Sequence, residues 1–460
     1  MSIRNKIAQY HEYKHGVSHC TFNPGEPGVV RIHLIPPRFR LFGSSAYIVI
    51  LNGYFMLPIG YSWAIILSKF MQEVNKFDGR PISDNDEIRI VERTVNAVRA
   101  VYPSVDSGEI REDLSEITRV LFAVARRDDP EIDIEKLSIR RFAENMTAPH
   151  RMDLMISSMA DSNGRWNCNQ KCTFCYAAGQ CKSHTDELTT EEWKSAIDKL
   201  RRANVPMVTF TGGEPTMRED LADLVGDAKE MVTRLNTNGI KLTSELAERL
   251  KFAGLDSVQV TLYSHDSKIH NELVGGEHFA ETVQGIKNAV NAGLDISVNT
   301  PLCRKNADYT ATLEFIRSLG VRFVTVSGLI CTGSAAGKYR ENDLNESELC
   351  DILKGAKEYC DRTEMEIDFT SPGLVSGEYL DELGMNVPMC GAALSNMAIA
   401  PDGTVVPCQS WLSDEDGLGN ILTDKFSRIW KSPKCVALRK MSEDEALSCP
   451  LRSRGERGKA

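Results

Sequence analysis

The sequence has no excess of positive charge, because 54 Lys and Arg residues face 64 Asp and Glu residues and leave a formal net charge of −10. Such a chain lacks the overall basic field of a nucleic-acid-binding protein, so we expect no nucleic-acid partner. Its nine His residues are too scattered to predict a metal site built from histidine. It has no low-complexity tract, and a composition of 42% hydrophobic and 26% charged residues excludes disorder as the main state.

The chain also lacks an obvious signal or membrane segment. Met1–Gly16 has no apolar signal core, so we expect a cytoplasmic protein. Leu41–Ser68 carries no charge and is long enough to span a membrane, but Asn52-Gly53 interrupts it with a strong hairpin signal. The pattern therefore predicts no membrane helix. It predicts two strands and a buried helix, at Tyr47–Leu51, Tyr54–Leu57 and Ser62–Val74.

Strand and helix patterns alternate from about residue 151 to 370. Repeated βα units predict a parallel sheet with helical crossovers, and six units predict an α/β fold of the partial-barrel type. In barrels the strand C-terminal ends carry the chemistry. The predicted strands are Met152–Ser157, Met207–Phe210, Val232–Leu235, Ser257–Leu262, Asp295–Thr300 and Arg322–Ser327.

Thirteen cysteines are the informative feature of the composition. A cytoplasmic chain keeps its thiols reduced, so clustered cysteines indicate metal binding or catalysis. Cys168, Cys172 and Cys175 have C-x3-C-x2-C spacing directly after the first predicted strand. Three thiolates on one loop can hold three irons of a four-iron cluster and leave the fourth iron open. A zinc knuckle is the alternative, since Cys181 could supply a fourth ligand.

These cysteines, with three later motifs, resemble the radical S-adenosylmethionine (radical SAM) superfamily. Thr211–Pro215 is similar to its GGEP motif, Thr237–Gly239 to its TNG turn, and Val258–Leu262 occupies the fourth strand. The family often has Ser at the position of Thr261. The resemblance covers about residues 150–340 and implies a partial (β/α)6 TIM-like barrel, which would reductively cleave SAM at a [4Fe-4S] cluster.

The resemblance also implies site residues. Cys168, Cys172 and Cys175 would ligate the cluster, while the amino and carboxylate groups of SAM chelate the open iron. The glycines and Glu214 would receive the amino group, and residues at later strand ends would border the adenine, ribose or carboxylate. For Thr261, Asn299 and Thr332, ordinary strand-end polarity is the alternative. The implied SAM-binding residues are Tyr176, Gly212, Gly213, Glu214, Thr237, Thr261, Asn299 and Thr332.

The C-terminal cysteines resemble those of the SPASM or twitch module, an auxiliary iron–sulfur domain of many radical SAM enzymes. The similarity rests on the Cys390-x12-Gly403-x4-Cys408 spacing and on Cys449. One auxiliary cluster on these three thiols is expected. Its fourth iron is either ligated by Cys435 or open to substrate, and thiols buried without metal are the alternative.

The later cysteine run of the SPASM module has the spacing C-x2-C-x5-C-x3-C, and this chain departs from it. Only Cys449 is a cysteine there, and the other three positions are Ala446, Gly455 and Lys459. A second auxiliary cluster is therefore not expected.

Two further cysteines, Cys303 and Cys331, follow the fifth and sixth predicted strands. Either thiol could donate a hydrogen atom to a substrate radical, or it could be merely packed.

We expect three domains: an N-terminal α+β domain (1–150), the radical SAM barrel (151–384) and the SPASM/twitch module (385–460). The N-terminal domain loosely resembles a leader-peptide-binding winged helix. The resemblance implies that the 5′-deoxyadenosyl radical modifies a ribosomally made peptide or protein. The alternatives are dehydrogenation or rearrangement of a small metabolite or cofactor precursor, and a non-enzymatic iron–sulfur protein. Either enzyme would need an electron donor such as ferredoxin or flavodoxin, and no membrane partner is expected.

Overall fold

The computed structural model describes residues 19–25, 28–36, 46–53, 55–126, 128, 130–132, 146–336 and 339–452. The chain forms two compact units. The first contains the described residues up to His150 together with Arg201–Pro206 and Glu230–Val232, and the second contains the rest. Neither unit has a helix, within these described residues, that is long and apolar enough to cross a membrane.

The first unit is an antiparallel four-stranded sheet followed by three helices. The strands pair in chain order, and they are β1 (His19–Phe22), β2 (Val30–Ile35), β3 (Tyr47–Leu51) and β4 (Phe55–Ile59). The helices are α1 (Tyr61–Val74), α2 (Asp84–Val101) and α3 (Ser107–Arg126).

The predicted hairpin and buried helix of this unit are confirmed. Asn52 and Gly53 both adopt positive φ, which a two-residue turn between twisted strands requires. Tyr54 lies outside the described residues. Helix α1 buries one face, including Leu67, Phe70 and Met71, in the same apolar core as the strand side chains.

The second unit contains a ten-stranded sheet with the order β11-β10-β9-β8-β7-β6-β5-β12-β13-β14. The neighbouring pairs from β7 to β11, β5 with β6, and β5 with β12 are parallel. The strands are β5 (Arg151–Ser157), β6 (Met207–Gly212), β7 (Val232–Thr237), β8 (Ser257–Thr261), β9 (Asp295–Pro301), β10 (Phe323–Ser327), β11 (Glu366–Phe369), β12 (Asn396–Ile399), β13 (Thr404–Val406) and β14 (Gly419–Asn420).

Helices cross between the parallel strands, as the alternating pattern predicts. Thr189 and Glu192 form a capping box before α4, with each side chain accepting from the other residue's backbone amide. The helices are α4 (Thr190–Arg202), α5 (Leu221–Asp227), α6 (Ser244–Ala253), α7 (Ser267–Val274), α8 (Phe279–Asn291), α9 (Tyr309–Ser318), α10 (Tyr339–Asn342), α11 (Glu346–Thr363), α12 (Gly377–Glu382), α13 (Phe426–Trp430) and α14 (Pro433–Asp444).

All six predicted strands are present, and the structure adds two features to them. Strand β11 follows α11 and buries only two of its four side chains, which is too short a pattern for the sequence to reveal. Strands β12 and β13 form an antiparallel hairpin, and β12 also pairs in parallel with β5. The hairpin between Cys390 and Cys408 is therefore built onto the first strand of the barrel sheet, which leads into the loop that carries Cys168, Cys172 and Cys175.

Candidate active site

The first three cysteines lie on the loop between β5 and α4, which we call the N-loop (residues 158–189). Backbone bonds attach it to α7: Lys171 N donates to Val274 O at 3.0 Å, and Thr173 N donates to Leu273 O at 2.8 Å. On its other side Ser334 N donates to Cys175 O at 2.9 Å. The loop is thus held in place by backbone contacts that do not use the thiols.

The three thiols of the N-loop lie close enough to influence one another. Burial raises the pKa of Cys168 to about 12 and raises those of Cys172 and Cys175. The charges of neighbouring cysteines raise the pKa values of Cys168 and Cys172 further. Three adjoining buried thiols are a donor set suited to iron, because bound metal favours the thiolates that burial disfavours. Within the described ranges no three His, Cys, Asp or Glu side chains form a group that holds a single ion.

The GGEP turn packs directly on the start of the N-loop. Gly212 has a φ of +134°, and a Cβ there would overlap Ser157 O; a Cβ at Gly213 would lie 2.5 Å from Ser158 O. Gly213 N donates to Ser157 O at 2.8 Å. Only glycine permits this close approach, so the two glycines fix the distance between the β5 and β6 ends.

Glu214 is buried, with only 2% of its surface exposed. Its carboxylate accepts four hydrogen bonds: from Thr216 N (3.0 Å) and Oγ1 (2.5 Å), Thr237 Oγ1 (2.6 Å) and Asn238 N (2.8 Å). Burial raises the pKa of Glu214, and these bonds oppose that rise. A carboxylate has about four acceptor positions, so these four bonds occupy all of them. Glu214 therefore joins the GGEP turn to Thr237 and Asn238, and receiving a SAM amino group would require it to release one of these donors.

A polar row lies at the ends of the next strands. Thr261 is in register with Asn299, and Asn299 is in register with Thr325. Thr325 Oγ1 donates to Asn299 Oδ1 at 2.8 Å, and Gln259 Nε2 donates to Thr325 Oγ1 at 3.2 Å. The structure thus brings Thr261 and Asn299 together, and Thr325 joins them.

Tyr176 connects three parts of the site. Its carbonyl accepts from Thr332 Oγ1 at 3.1 Å and from Gln180 Nε2 at 2.6 Å. Its hydroxyl donates to Gln409 Oε1 at 3.2 Å, and burial raises its pKa. Tyr176 and Thr332 therefore adjoin, and the phenol extends toward the residue that follows Cys408.

Three of the four C-terminal candidates are grouped. Burial is the largest cause of a raised pKa at Cys390, to which the charge of Cys449 adds. Burial likewise raises the pKa of Cys408 to about 12, and the charges of Cys390 and Cys449 add to that rise. Cys435 faces a different partner: its sulfur accepts from Arg439 Nη2 at 3.3 Å. Burial raises the pKa of Cys435, and the charge and the hydrogen bond of Arg439 oppose that rise.

The two candidate hydrogen-atom donors differ in position. Cys303 is fully buried in an apolar cluster with Phe174, Tyr263 and Leu329, against which Cys172 packs. This position favours the alternative that its thiol is merely packed. Cys331 is half-buried and directly precedes Thr332, so it lies at the border of the site.

Sequence reasoning missed Gln180, Gln409 and Thr325 as site residues. None belongs to a spaced motif, and each contributes through side-chain contacts between segments far apart in the chain. The adjacency of Gln409 to Cys408 was the only local signal that could have identified any of them.

Comparison with known proteins agrees with this geometry. The Radical SAM superfamily model matches residues 167–327, and a SPASM model, described as an iron–sulfur cluster-binding domain, matches residues 390–450. The mycofactocin maturase MftC of Mycolicibacterium smegmatis is 28% identical over 57% of this chain and 67% of its own. A probable GTP 3′,8-cyclase of Sulfurisphaera tokodaii is 29% identical over 56% of this chain and 83% of its own.

Solved structures show the same fold. Streptococcus suis SuiB has a TM-score of 0.59 over 94% of this chain and 96% of its own, at 14% identity. SuiB bound to S-adenosylmethionine has a TM-score of 0.60 over 91% and 90%, at 16% identity. The chain therefore contains a radical SAM domain and a SPASM iron–sulfur domain, the combination of a radical SAM enzyme that uses S-adenosylmethionine and iron–sulfur clusters.

Proposed function

We propose that this radical SAM enzyme modifies a ribosomally synthesised peptide or protein. The observation that carries the proposal is the extent of the structural similarity to SuiB. The structure of SuiB bound to its precursor peptide SuiA is similar to this chain over 86% of its length. That coverage extends beyond the two domains matched by family models. MftC, a maturase by name, supports the same class of substrate.

Within the site, each group of residues has its own task. Cys168, Cys172 and Cys175 hold the cluster, which when bound supplies the electron that cleaves SAM to a 5′-deoxyadenosyl radical. Gly212 and Gly213 bring the β6 end against the N-loop, and Glu214 holds the β6 and β7 turns together. Tyr176 and Thr332 border the adenine, while Thr261 and Asn299 face the ribose or carboxylate. Cys390, Cys408 and Cys449 hold one auxiliary cluster.

The first unit provides a strand edge on which a leader peptide can add. Among the described strands, β1 pairs only with β2, and β4 only with β3. Strand β4 contains Pro58, which removes one backbone donor, so β1 is the edge with a full set of amides. An extended peptide adding to β1 gains main-chain hydrogen bonds. This is the role we propose for residues 1–150.

The proposal includes two further expectations. We expect a ferredoxin or flavodoxin to supply the electron, because each reductive cleavage of SAM consumes one electron that must come from a donor. All thirteen cysteines are free thiols, which fits the reducing environment of the cytoplasm.

A small-metabolite substrate is the second candidate. The observation that favours it is the match to a probable GTP 3′,8-cyclase, which covers 83% of that relative. In this case the residues at the strand ends would themselves recognise the substrate, and unit 1 would take no part in recognition.

One anaerobic experiment separates these functions. The protein is reconstituted with iron and sulfide, reduced with dithionite and supplied with SAM, and 5′-deoxyadenosine is measured with a peptide encoded beside its gene, with GTP, or with neither. Peptide-dependent deoxyadenosine together with a mass change in the peptide supports the proposal. A response to GTP alone supports the second candidate. The absence of deoxyadenosine from fully loaded protein under all three conditions contradicts both.

A further inference from the structure

The two cysteine-bearing segments contact each other, and one side chain makes hydrogen bonds to the backbone of both. We call residues 401–414, which include Cys408, the C-loop. The carboxamide of Gln180, in the N-loop, makes three hydrogen bonds here. Its Nε2 donates to Tyr176 O at 2.6 Å and to Ser410 O at 3.1 Å, and its Oε1 accepts from Leu412 N at 3.2 Å.

The positions of these partners are informative. Tyr176 directly follows Cys175, and Ser410 lies two residues after Cys408. The carboxamide therefore bonds to backbone next to a cluster ligand on each loop. Only an amide side chain supplies two donors and one acceptor from a single planar group of this size.

Neighbouring contacts keep Gln180 in this arrangement. Lys182 N donates to Leu412 O at 2.8 Å, and Tyr176 Oη donates to Gln409 Oε1 at 3.2 Å. Leu412 also packs with Met155 and Ala178 in a small apolar cluster, against which Cys168, Cys175 and Tyr176 lie. The two loops thus share a hydrogen-bonded and an apolar contact.

We propose that Gln180 is a positioning residue that locks the N-loop to the C-loop, so that the geometry of the SAM site depends on the auxiliary segment. Its carboxamide holds the Tyr176 carbonyl that also accepts from Thr332, a residue at the border of the site. The inference rests on the proposed assignment of the two thiol groups but not on the peptide substrate.

Two variants divide the contact into its parts. Gln180→Glu keeps an acceptor for Leu412 N and loses both donors, whereas Gln180→Leu loses all three bonds. Each is expected to weaken SAM binding about tenfold, because two hydrogen bonds are lost in Gln180→Glu and three in Gln180→Leu. Gln284→Glu is the matched control, since Gln284 is exposed on α8 and bonds only to Asn288 in the described contacts.

SAM affinity is measured by titrating the dithionite-reduced protein and following the electron paramagnetic resonance spectrum of the SAM-binding cluster. Amide hydrogen exchange at Leu412 is measured on the same proteins. We expect faster exchange in Gln180→Leu, protection near wild type in Gln180→Glu, and weakened SAM affinity in both. Gln284→Glu is expected to match wild type in both measurements.

If Gln180 had only a structural role, its substitution would lower the free energy of unfolding without changing SAM affinity and Leu412 exchange together. Unchanged SAM affinity in both variants would overturn the proposal, even if Leu412 exchanged faster. Weakened affinity without faster Leu412 exchange in Gln180→Leu would also overturn it, because the effect would not pass through the C-loop.

A double-mutant cycle with Cys408→Ala tests the direction of the dependence. If Gln180 connects the auxiliary segment to the SAM site, Gln180→Leu weakens SAM binding much less in the Cys408→Ala background than alone. Fully additive losses would contradict the proposal. Failure of the proposed function appears separately, as absence of deoxyadenosine from the wild-type protein, and leaves the hydrogen-exchange comparison intact.

Discussion

The two thiol groups of unit 2 are built in different ways. Cys168, Cys172 and Cys175 share one loop, and backbone contacts to α7 and to residue 334 hold that loop in place. Cys390, Cys408 and Cys449 come from three segments, and the pairing of β12 with β5 anchors one of these segments to the barrel sheet. A local motif can thus specify one metal site, whereas the other exists only after the sheet has formed.

The largest effect that tests this comparison is loss of one N-loop thiol. Cys172→Ala is expected to reduce SAM cleavage to background, because the cluster loses one of its three protein ligands. The measurement is 5′-deoxyadenosine formed after reconstitution and reduction. Cys350→Ala is the control, since Cys350 lies on α11 away from both thiol groups. Near-normal cleavage by Cys172→Ala would refute the assignment of this site.

The C-terminal group should respond differently to the same kind of change. Cys408→Ala is expected to lower iron from about eight to about four atoms per chain, because only the auxiliary cluster is lost. SAM cleavage should persist, with weaker SAM binding, while product formation is lost. Iron and deoxyadenosine are measured on one sample. Unchanged iron would place the auxiliary cluster elsewhere, or leave these thiols without metal.

Substitution of Glu214 tests how strongly its hydrogen bonds hold together the turns that follow β6 and β7, beside the N-loop. Glu214→Gln replaces a carboxylate that accepts four hydrogen bonds with an amide whose NH2 group faces donors. We expect a loss of about 3 kcal/mol in the free energy of unfolding. Urea unfolding of the iron-free protein measures it, and Glu314→Gln on the exposed side of α9 is the control. A loss equal to the control's would show that the carboxylate is not needed to join the turns.

The same contrast explains what the sequence could predict. The N-loop cysteines, the GGEP turn and the Asn52-Gly53 hairpin follow from local spacing and backbone requirements, so they are recognisable in the chain. The pairing of β12 with β5 and the contacts of Gln180 join residues more than 200 positions apart, and no local pattern encodes them. The anchoring of the N-loop to α7 likewise joins segments about 100 positions apart, through backbone hydrogen bonds to Leu273 and Val274 that no local pattern encodes.

The smallest expected effect concerns the fourth ligand of the auxiliary site. Arg439 stacks on Trp430, with its Cζ atom 3.5 Å from the ring centroid, and donates to Ala393 O, Trp430 O and Cys435 Sγ. The sulfur of Cys435 thus accepts a hydrogen bond from the buried guanidinium of Arg439, and a serine hydroxyl at this position would also accept one. We expect Cys435→Ser to leave iron per chain unchanged and to cost at most about 1 kcal/mol in unfolding free energy. Loss of iron comparable to that in Cys408→Ala would instead make Cys435 a ligand, and Arg439 would then have to turn away when the cluster binds.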